Sequence, residues 1–189
     1  MSNHTKKMMI AVFGQDRPGI VARVSGLLAE MGCNIEDATQ TILHDRFAGM
    51  FVVQPVQESL AREQVLRALE DGFQGEELTF WLSPMEEAAP PKPAQGATDP
   101  FVLTTIGPDQ LGLVAGVTGV LSRFGVNITA LRANVKTEDV SQWVMIYEVD
   151  VPKSVDRQQF REALYGKAQE LDQRLSLQHR DIFETVHRV

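Results

Sequence analysis

The sequence is poor in cysteine and in basic residues, and these shortages exclude several classes of protein. Its 189 residues include a single cysteine, Cys33, so no disulfide can form within the chain. A secreted scaffold held together by disulfides is therefore disfavoured. The 18 Lys and Arg residues are outnumbered by 25 Asp and Glu residues, which gives a net charge of −7. Because a nucleic-acid surface needs clustered basic side chains, we expect no direct contact with nucleic acid.

Long apolar runs are also missing from the sequence. The first seven residues lead into an apolar run, Met8–Phe13, of only six residues before Gly14. That run is too short for the core of a signal peptide. No stretch approaches the length of about 20 apolar residues that a membrane span requires. We therefore expect a cytoplasmic protein that makes no contact with a membrane.

The side chains that usually carry catalysis are scarce and scattered. The histidines are His4, His44, His179 and His187, and none of them has a partner in the internal repeat described below. No His, Cys or carboxylate cluster has the spacing of metal ligands. No Ser or Cys lies in the context of a nucleophile elbow. The sequence therefore predicts a protein that is not an enzyme and that needs no cofactor or metal.

What the sequence does contain is a duplication with a period of 93 residues. Gly14–Ile35 aligns without a gap on Gly107–Ile128, and 11 of the 22 positions are identical. Chance would give one or two identities, so the match marks an internal repeat, and its long period indicates two whole domains. We predict a first domain at 1–84, a Pro/Ala-rich linker at 85–99 and a second domain at 100–189.

Each copy has the same order of predicted elements. Short apolar runs predict strands, one-sided apolar stripes predict helices, and tight polar turns predict hairpins. The predicted order is therefore βαββαβ in both copies, an α+β fold. The first copy has Met8–Phe13, Ile20–Met31, Asn34–Leu43, Phe47–Val56, Leu60–Phe73 and Glu77–Leu82. The second has Phe101–Ile106, Leu113–Phe124, Asn127–Thr137, Val140–Val151, Val155–Leu171 and Arg174–Phe183, with a turn at Glu138-Asp139.

The stretch Gly14–Val21 joins the first strand to the first helix. We expect Gly14, which has few steric limits, to let the chain turn away at the end of the strand. We expect Gly19, which has no side chain, to allow another group to approach the backbone closely. Asp16 is placed to accept hydrogen bonds from the first helical amides as an N-cap, and Pro18 suits the first helical turn. Free amides and the positive end of a helix dipole together suit a small carboxylate. Gly32 and Gly125 stand where a glycine ends a helix.

These repeated motifs resemble the ACT domain. The likeness is carried by Asp-Arg-Pro-Gly-Ile-Val or Gly-Pro-Asp-x-x-Gly-Leu-Val at the first helix and by Gly-x-Asn-Ile at the second strand. Both copies resemble this family, so the likeness covers nearly all of the chain outside the linker and the tail. Gly32–Asp37 and the linker narrow the resemblance to the group of tandem ACT proteins that are glycine cleavage system transcriptional repressors. The second copy keeps Gly107–Asp109 and Gly112–Val114, which some members of that group lack.

The resemblance implies a ferredoxin-like fold with antiparallel sheets and a site for a small amino acid. In such domains two units place their sheets side by side, and the ligand lies where the turn of one unit faces strand two of its neighbour. Turn amides would hold the carboxylate, while Asp and Asn oxygens would take the ammonium. The matching positions are Asp16, Arg17, Pro18, Gly19, Ile20 and Asn34 in the first copy and Asp109, Gln110, Leu111, Gly112, Leu113 and Asn127 in the second.

Plainer interpretations of these residues stay open. Asp16 and Asp109 are equally expected as helix caps that bind no ligand. Asn34 and Asn127 are equally expected to bond the local backbone after a helix end. Arg17 is also consistent with a solvated surface charge, and Cys33 is read as a small buried apolar residue.

Two functions from different classes follow from the sequence. The first, which the resemblance implies, is an amino-acid sensor that regulates transcription of the glycine cleavage system. It would bind glycine or a serine-like amino acid and act through a protein partner such as a transcription factor, as a homodimer. The second is a structural or interaction module whose turns are only helix caps and whose open sheet edges pair with other chains. A weaker alternative is a detached regulatory subunit of an amino-acid or folate enzyme.

Overall fold

Strand β1 (Met8–Gln15) is the centre from which the first half of the chain is built. The computed structural model describes residues 7–57, 59–85, 97–135 and 142–187. Side chains of β1 alternate, so that Met8, Ile10 and Val12 are buried beneath the helices. This period of two is the pattern of a strand with one face against a core. The remaining elements are α1 (Ile20–Glu30), β2 (Cys33–Leu43), β3 (Arg46–Pro55), α2 (Arg62–Gly72) and β4 (Leu78–Pro84).

The second half repeats this order. Its elements are β5 (Thr98–Pro108), α3 (Leu113–Arg123), β6 (Asn127–Val135), β7 (Gln142–Pro152), α4 (Arg157–Glu170), β8 (Arg174–His179) and α5 (Arg180–His187). The chain divides into two compact units, Met1–Pro91 (unit 1) and Lys92–Val189 (unit 2). The predicted domain borders stay a prediction. Residues 86–96 of the predicted linker at 85–99, and the turn at Glu138-Asp139, lie outside the described residues.

Each unit contains one antiparallel sheet of four strands. The strand order is β2-β3-β1-β4 in unit 1 and β6-β7-β5-β8 in unit 2. Every pairing is antiparallel, and β1 and β5 each lie between two neighbours. The predicted α+β fold of two ferredoxin-like βαββαβ units is confirmed.

The helices cover one face of each sheet and close the core. In α1 the buried residues Ile20, Val24 and Leu28 recur every four positions, which puts them on one face of the helix. In α3 the matching positions Leu113, Val117 and Leu121 are buried in the same way. The stripe that predicted each helix is therefore the stripe that contacts the core.

Glycine ends the first helix of each unit, as the sequence predicts. Gly32 and Gly125 have φ values of 71° and 65°, which side chains rarely adopt. In unit 2 the Gly125 amide donates to the Ser122 carbonyl and the Val126 amide donates to the Leu121 carbonyl, at 2.9 and 3.0 Å. These two bonds form a Schellman motif, which satisfies carbonyls at the helix end.

The predicted last strand, Arg174–Phe183, was wrong over its final four residues. Strand β8 ends at His179, which pairs with Phe101 of β5, and α5 begins at Arg180. The next register position on β5 is Pro100, whose nitrogen carries no hydrogen to donate to a neighbouring strand. The ladder therefore has a physical reason to stop where it does.

The space around two glycines of unit 1 predicts that alanine at these positions has opposite effects on stability. A Cβ at Gly14 would lie 2.1 Å from the carbonyl oxygen of Glu77, whereas a Cβ at Gly26 would meet no heavy atom within 4 Å. We expect Gly14→Ala to lower the free energy of unfolding by about 1–3 kcal/mol, because backbone must move. Gly26→Ala, in the interior of α1, should raise it by about 1 kcal/mol. Urea unfolding of both variants measures the difference, and equal effects would contradict the packing described.

Candidate functional site

The turn of unit 1 owes its shape to Gly19, which precedes the first residue of α1. Gly19 has φ 96° and ψ −7°, and it follows Pro18. These are the angles and the residues of the second half of a type II turn, where glycine is needed. Pro18 therefore lies in the turn before the helix, not in the first helical turn. The prediction that Asp16 caps α1 was wrong, since Gly19 is the N-cap and, among the described residues, no side chain caps the helix.

The two glycines of this stretch have exchanged the roles that the sequence predicts for them. Gly14 is the glycine that permits close approach, because the β4 backbone lies against it. A Cβ at Gly19 would meet no heavy atom within 4 Å, so glycine is needed there for its positive φ and not for space. A local pattern identified both glycines, but only the neighbouring strand shows which role each one has.

Unit 2 repeats the same turn. Gly112 has φ 89° and ψ 2°, and no side chain in the described part of the chain caps α3. The first helical bonds run from the Arg23 amide to the Gly19 carbonyl and from the Gly116 amide to the Gly112 carbonyl. The three amides before each of these donors have no partner within the helix. Helix α4 differs, because the Asp156 carboxylate accepts from two amides at its start, at 2.9 and 3.1 Å.

In unit 1 a cluster of charged side chains holds the turn against the end of α2. Arg17 forms an ion pair with Glu76, and the Arg23 guanidinium lies 2.7 Å from the other oxygen of that carboxylate. Both guanidinium groups lie over the ring of Phe73, at 5.9 and 4.8 Å from its centroid. Arg17 is thus engaged within its own unit, which goes beyond a solvated charge. Its guanidinium positions the turn.

In unit 2 neutral side chains hold the turn against the end of the second helix, α4. The Gln110 amide donates to the carbonyl of Leu171 at the end of α4. Gln173 is buried, and its amide donates to the Pro108 carbonyl at 2.9 Å. A Cβ at Gly107 would lie 2.5 Å from that same amide nitrogen. Position 17 and its counterpart 110 therefore reach the end of the second helix by different chemistry.

The asparagines lie at the opposite end of each unit from the turn. Asn34 begins β2 and pairs with Gln54, while Asn127 begins β6 and pairs with Asp150. Both are exposed. Because β2 runs parallel to β1, the start of β2 lies level with the start of β1, about 30 Å from the turn at its end. No single unit brings its turn and its asparagine together.

The predicted apolar residues of the turns divide into buried and exposed ones. Ile20 and Leu113 are only 2% and 4% exposed, and both belong to the cores of their units. Val21 and Val114, one position further along each helix, are both 40% exposed. Leu111 is fully exposed, and Pro18 is also exposed. The valines therefore offer the apolar surface beside each turn.

A cavity of about 450 Å³ lies beside the turn of unit 2. Asp109 and the first residues of α3, Leu113–Ala115, form one wall. Ala133 of β6, together with Trp143 and Met145 of β7, forms the other. Sequence reasoning missed these three residues, because their strands meet the turn only after folding. In unit 1 a cavity of about 390 Å³ is lined largely by polar residues, including Asp16, Arg17 and Glu77.

Beneath the cavity of unit 2 lies a buried tyrosine. Tyr147 is 0% exposed, and its hydroxyl donates to the sulfur of Met145 at 3.2 Å. A thioether is a weak acceptor, and burial raises the pKa of Tyr147 to about 12. Within the described ranges, no group of three or more His, Cys, Asp or Glu side chains is placed to hold a metal ion.

Comparison with known proteins assigns both units to one family. The ACT domain profile matches residues 6–80 and 99–178. The chain belongs to the ACT domain family. Two matching relatives are UPF0237 proteins. That of Methanopyrus kandleri is 41% identical over 69 residues, 34% of this chain and 77% of the relative. That of Streptococcus mutans is 48% identical over 64 residues, 34% of this chain and 72% of the relative.

Two solved structures share the tandem ACT fold over most of the chain. An unknown protein from Galdieria sulphuraria has a TM-score of 0.74 at 24% identity, covering 92% of this chain and 98% of that one. A protein assigned as a glycine cleavage system transcriptional repressor has a TM-score of 0.66 at 20% identity, covering 91% and 95%. At these identities the likeness shows the fold. No described helix has the length and apolar character needed to cross a membrane.

The support beneath the second turn can be tested at Gln173. Gln173→Met keeps the shape of the side chain but leaves the Pro108 carbonyl without its donor. We expect the free energy of unfolding to fall by about 1 kcal/mol, because the part-buried hydrogen bond from the Gln173 amide to the carbonyl of the exposed residue Pro108 is lost. Gln158→Met, at an exposed position on α4, should change it by about 0.5 kcal/mol or less. Equal losses in urea unfolding would contradict this role of Gln173.

Tyr147 predicts a loss of stability at alkaline pH. The unfolded tyrosine ionises near its ordinary pKa of 10.0, below the value of about 12 in the folded chain. The contribution of the neutral Tyr147 to the free energy of unfolding is therefore complete below pH 10, and it is lost as pH rises toward about 12. Tyr147→Phe should remove this part of the decline in urea unfolding, whereas Tyr165→Phe, at a residue 46% exposed, should retain it. An identical decline in both variants would be the contrary result.

Proposed function

We propose that this ACT protein is a non-enzymatic, amino-acid-sensing regulator. Glycine or another small amino acid, such as serine, would bind at its turns and change its contact with a protein partner. The regulated process that we propose is transcription of the glycine cleavage system, with a transcription factor as the partner. This finer role is supported by the motif resemblance and by the fold shared with the protein assigned as such a repressor.

The observation that carries the proposal is the pair of helix starts without side-chain caps. Helices α1 and α3 each begin at a left-handed glycine and leave three amides without helical partners. Such amides carry a partial positive charge and suit a carboxylate. Asp16 and Asp109 do not cap their helices, so their carboxylates are available for an ammonium group. A free amino acid presents both of these charges a short distance apart.

A protein partner is a better match than DNA for the charge of this chain. The net charge of −7 would repel the phosphate backbone. Regulation of transcription would then pass through a second protein whose affinity depends on the amino acid. A purely structural module predicts the same fold but no response to any ligand, and a regulatory subunit predicts co-purification with its enzyme.

Isothermal calorimetry with the full chain tests the proposal. We expect glycine or serine to bind, and Asp109→Asn and Asp16→Asn each to weaken the site of their own unit at least tenfold, because the ammonium loses its counter-charge. Glu63→Gln makes the same change of charge at an exposed position in the first turn of α2, at the end of that helix away from the turn, and should leave binding unchanged. The proposal fails if no amino acid binds, or if all three variants behave as the parent chain does.

A further inference from the structure

The two units differ at one pair of positions beside the turn. Phe47 pairs with Gly14 in unit 1, and Trp143 pairs with Gly107 in unit 2, so the two aromatic residues occupy the same place in the sheet. Two residues further along the same strands, Gly49 of β3 corresponds to Met145 of β7. The pair is therefore Phe and Gly in unit 1, but Trp and Met in unit 2.

In unit 1 the aromatic ring lies over the glycine. A Cβ at Gly49 would lie 2.8 and 2.9 Å from two ring atoms of Phe47. Phe47 is accordingly only 2% exposed and belongs to the core. Because the ring uses the space that a side chain at position 49 would need, it is not available as a wall beside the turn.

In unit 2 the methionine takes that space itself. Met145 is 4% exposed, and the Tyr147 hydroxyl beneath it donates to its sulfur. Trp143 cannot fold over position 145 as Phe47 folds over Gly49. It is half-buried, and it lines the cavity of about 450 Å³ together with Ala133. The exchange of Phe and Gly for Trp and Met thus leaves an apolar wall beside the second turn.

We propose that the cavity of unit 2 selects an α-amino acid with an aliphatic side chain, with Trp143 as the residue that determines this specificity. This inference rests on the proposed function and names the ligand class of one of its sites. The amides of Leu113, Val114 and Ala115 receive the carboxylate, and Asp109 receives the ammonium. The aliphatic side chain packs against Trp143, Ala133 and Met145. Unit 1, with Phe47 in its core, lacks this selection.

The apolar wall sets the expected order of affinities. Glycine has no side chain to bury, so it gains nothing from Trp143. Each buried methylene strengthens binding by about fourfold, so several of them outweigh the ordering of a leucine side chain. We expect L-leucine to bind unit 2 at least about tenfold more tightly than glycine does.

Tryptophan fluorescence can observe this site directly, because the chain contains only two tryptophans. Trp81→Phe leaves Trp143 as the one indole, and the difference between its titration and that of the parent chain reports Trp81, which is 58% exposed on β4 of unit 1. Titration with L-leucine should change the emission of Trp143 saturably and should leave that of Trp81 unchanged. A saturable change at Trp81 without one at Trp143 would overturn the inference.

Filling the cavity provides the matched mutational test. Ala133→Phe places a ring at an exposed position of β6 that lines the cavity, and it should weaken L-leucine binding at least tenfold in calorimetry. Gln40 occupies the corresponding register position in unit 1, opposite Gly49. Gln40→Phe should therefore leave L-leucine binding unchanged. Circular dichroism of both variants checks that the fold is retained.

The outcomes separate this inference from the proposed function. If glycine binds as tightly as L-leucine and Ala133→Phe has no effect, the specificity of unit 2 is refuted while amino-acid sensing stands. If no amino acid binds the parent chain, the proposed function is refuted, and the inference that rests on it is refuted as well. Tighter binding of L-leucine, lost in Ala133→Phe and retained in Gln40→Phe, supports both.

Discussion

The arrangement of each unit depends on one close approach between backbones at the end of its central strand. A Cβ at Gly14 would lie 2.1 Å from the Glu77 carbonyl, and one at Gly107 would lie 2.6 Å from the Asp172 carbonyl. Only glycine allows the segment after the second helix to lie this close to the strand. This contact sets the position of the turn. The turn then determines where the first helix of the unit begins.

Around this shared contact the two units have diverged in their side chains. Unit 1 secures its turn with an ion-paired arginine over an aromatic ring, and unit 2 uses two glutamine amides. Both solutions hold the same backbone and leave the same helical amides without caps. Duplication thus preserved the part of the site made by backbone, while the surrounding side chains changed.

The fold was predictable because its signals are local. The period of the apolar residues distinguishes strands from helices, and the duplication supplies each element twice. The position of the turns was predictable for the same reason, since glycine and proline act on their own neighbours. The role of Asp16 was not, because a carboxylate near a helix start resembles a cap whether or not its geometry allows one. The end of β8 also depended on a distant residue, Pro100 of β5.

The cavity beside the second turn could not be predicted from local sequence patterns. Ala133 and Met145 are opposite each other only because β6 pairs with β7 in one register. Whether Trp143 lines the cavity or enters the core depends on the side chain two positions away, as its counterpart Phe47 over Gly49 demonstrates. The motifs of the turns therefore indicated the family, and repetition and periodicity along the chain determined the elements and the position of the turns. Folding decided which residues surround those turns, because register and packing join residues that are far apart along the chain.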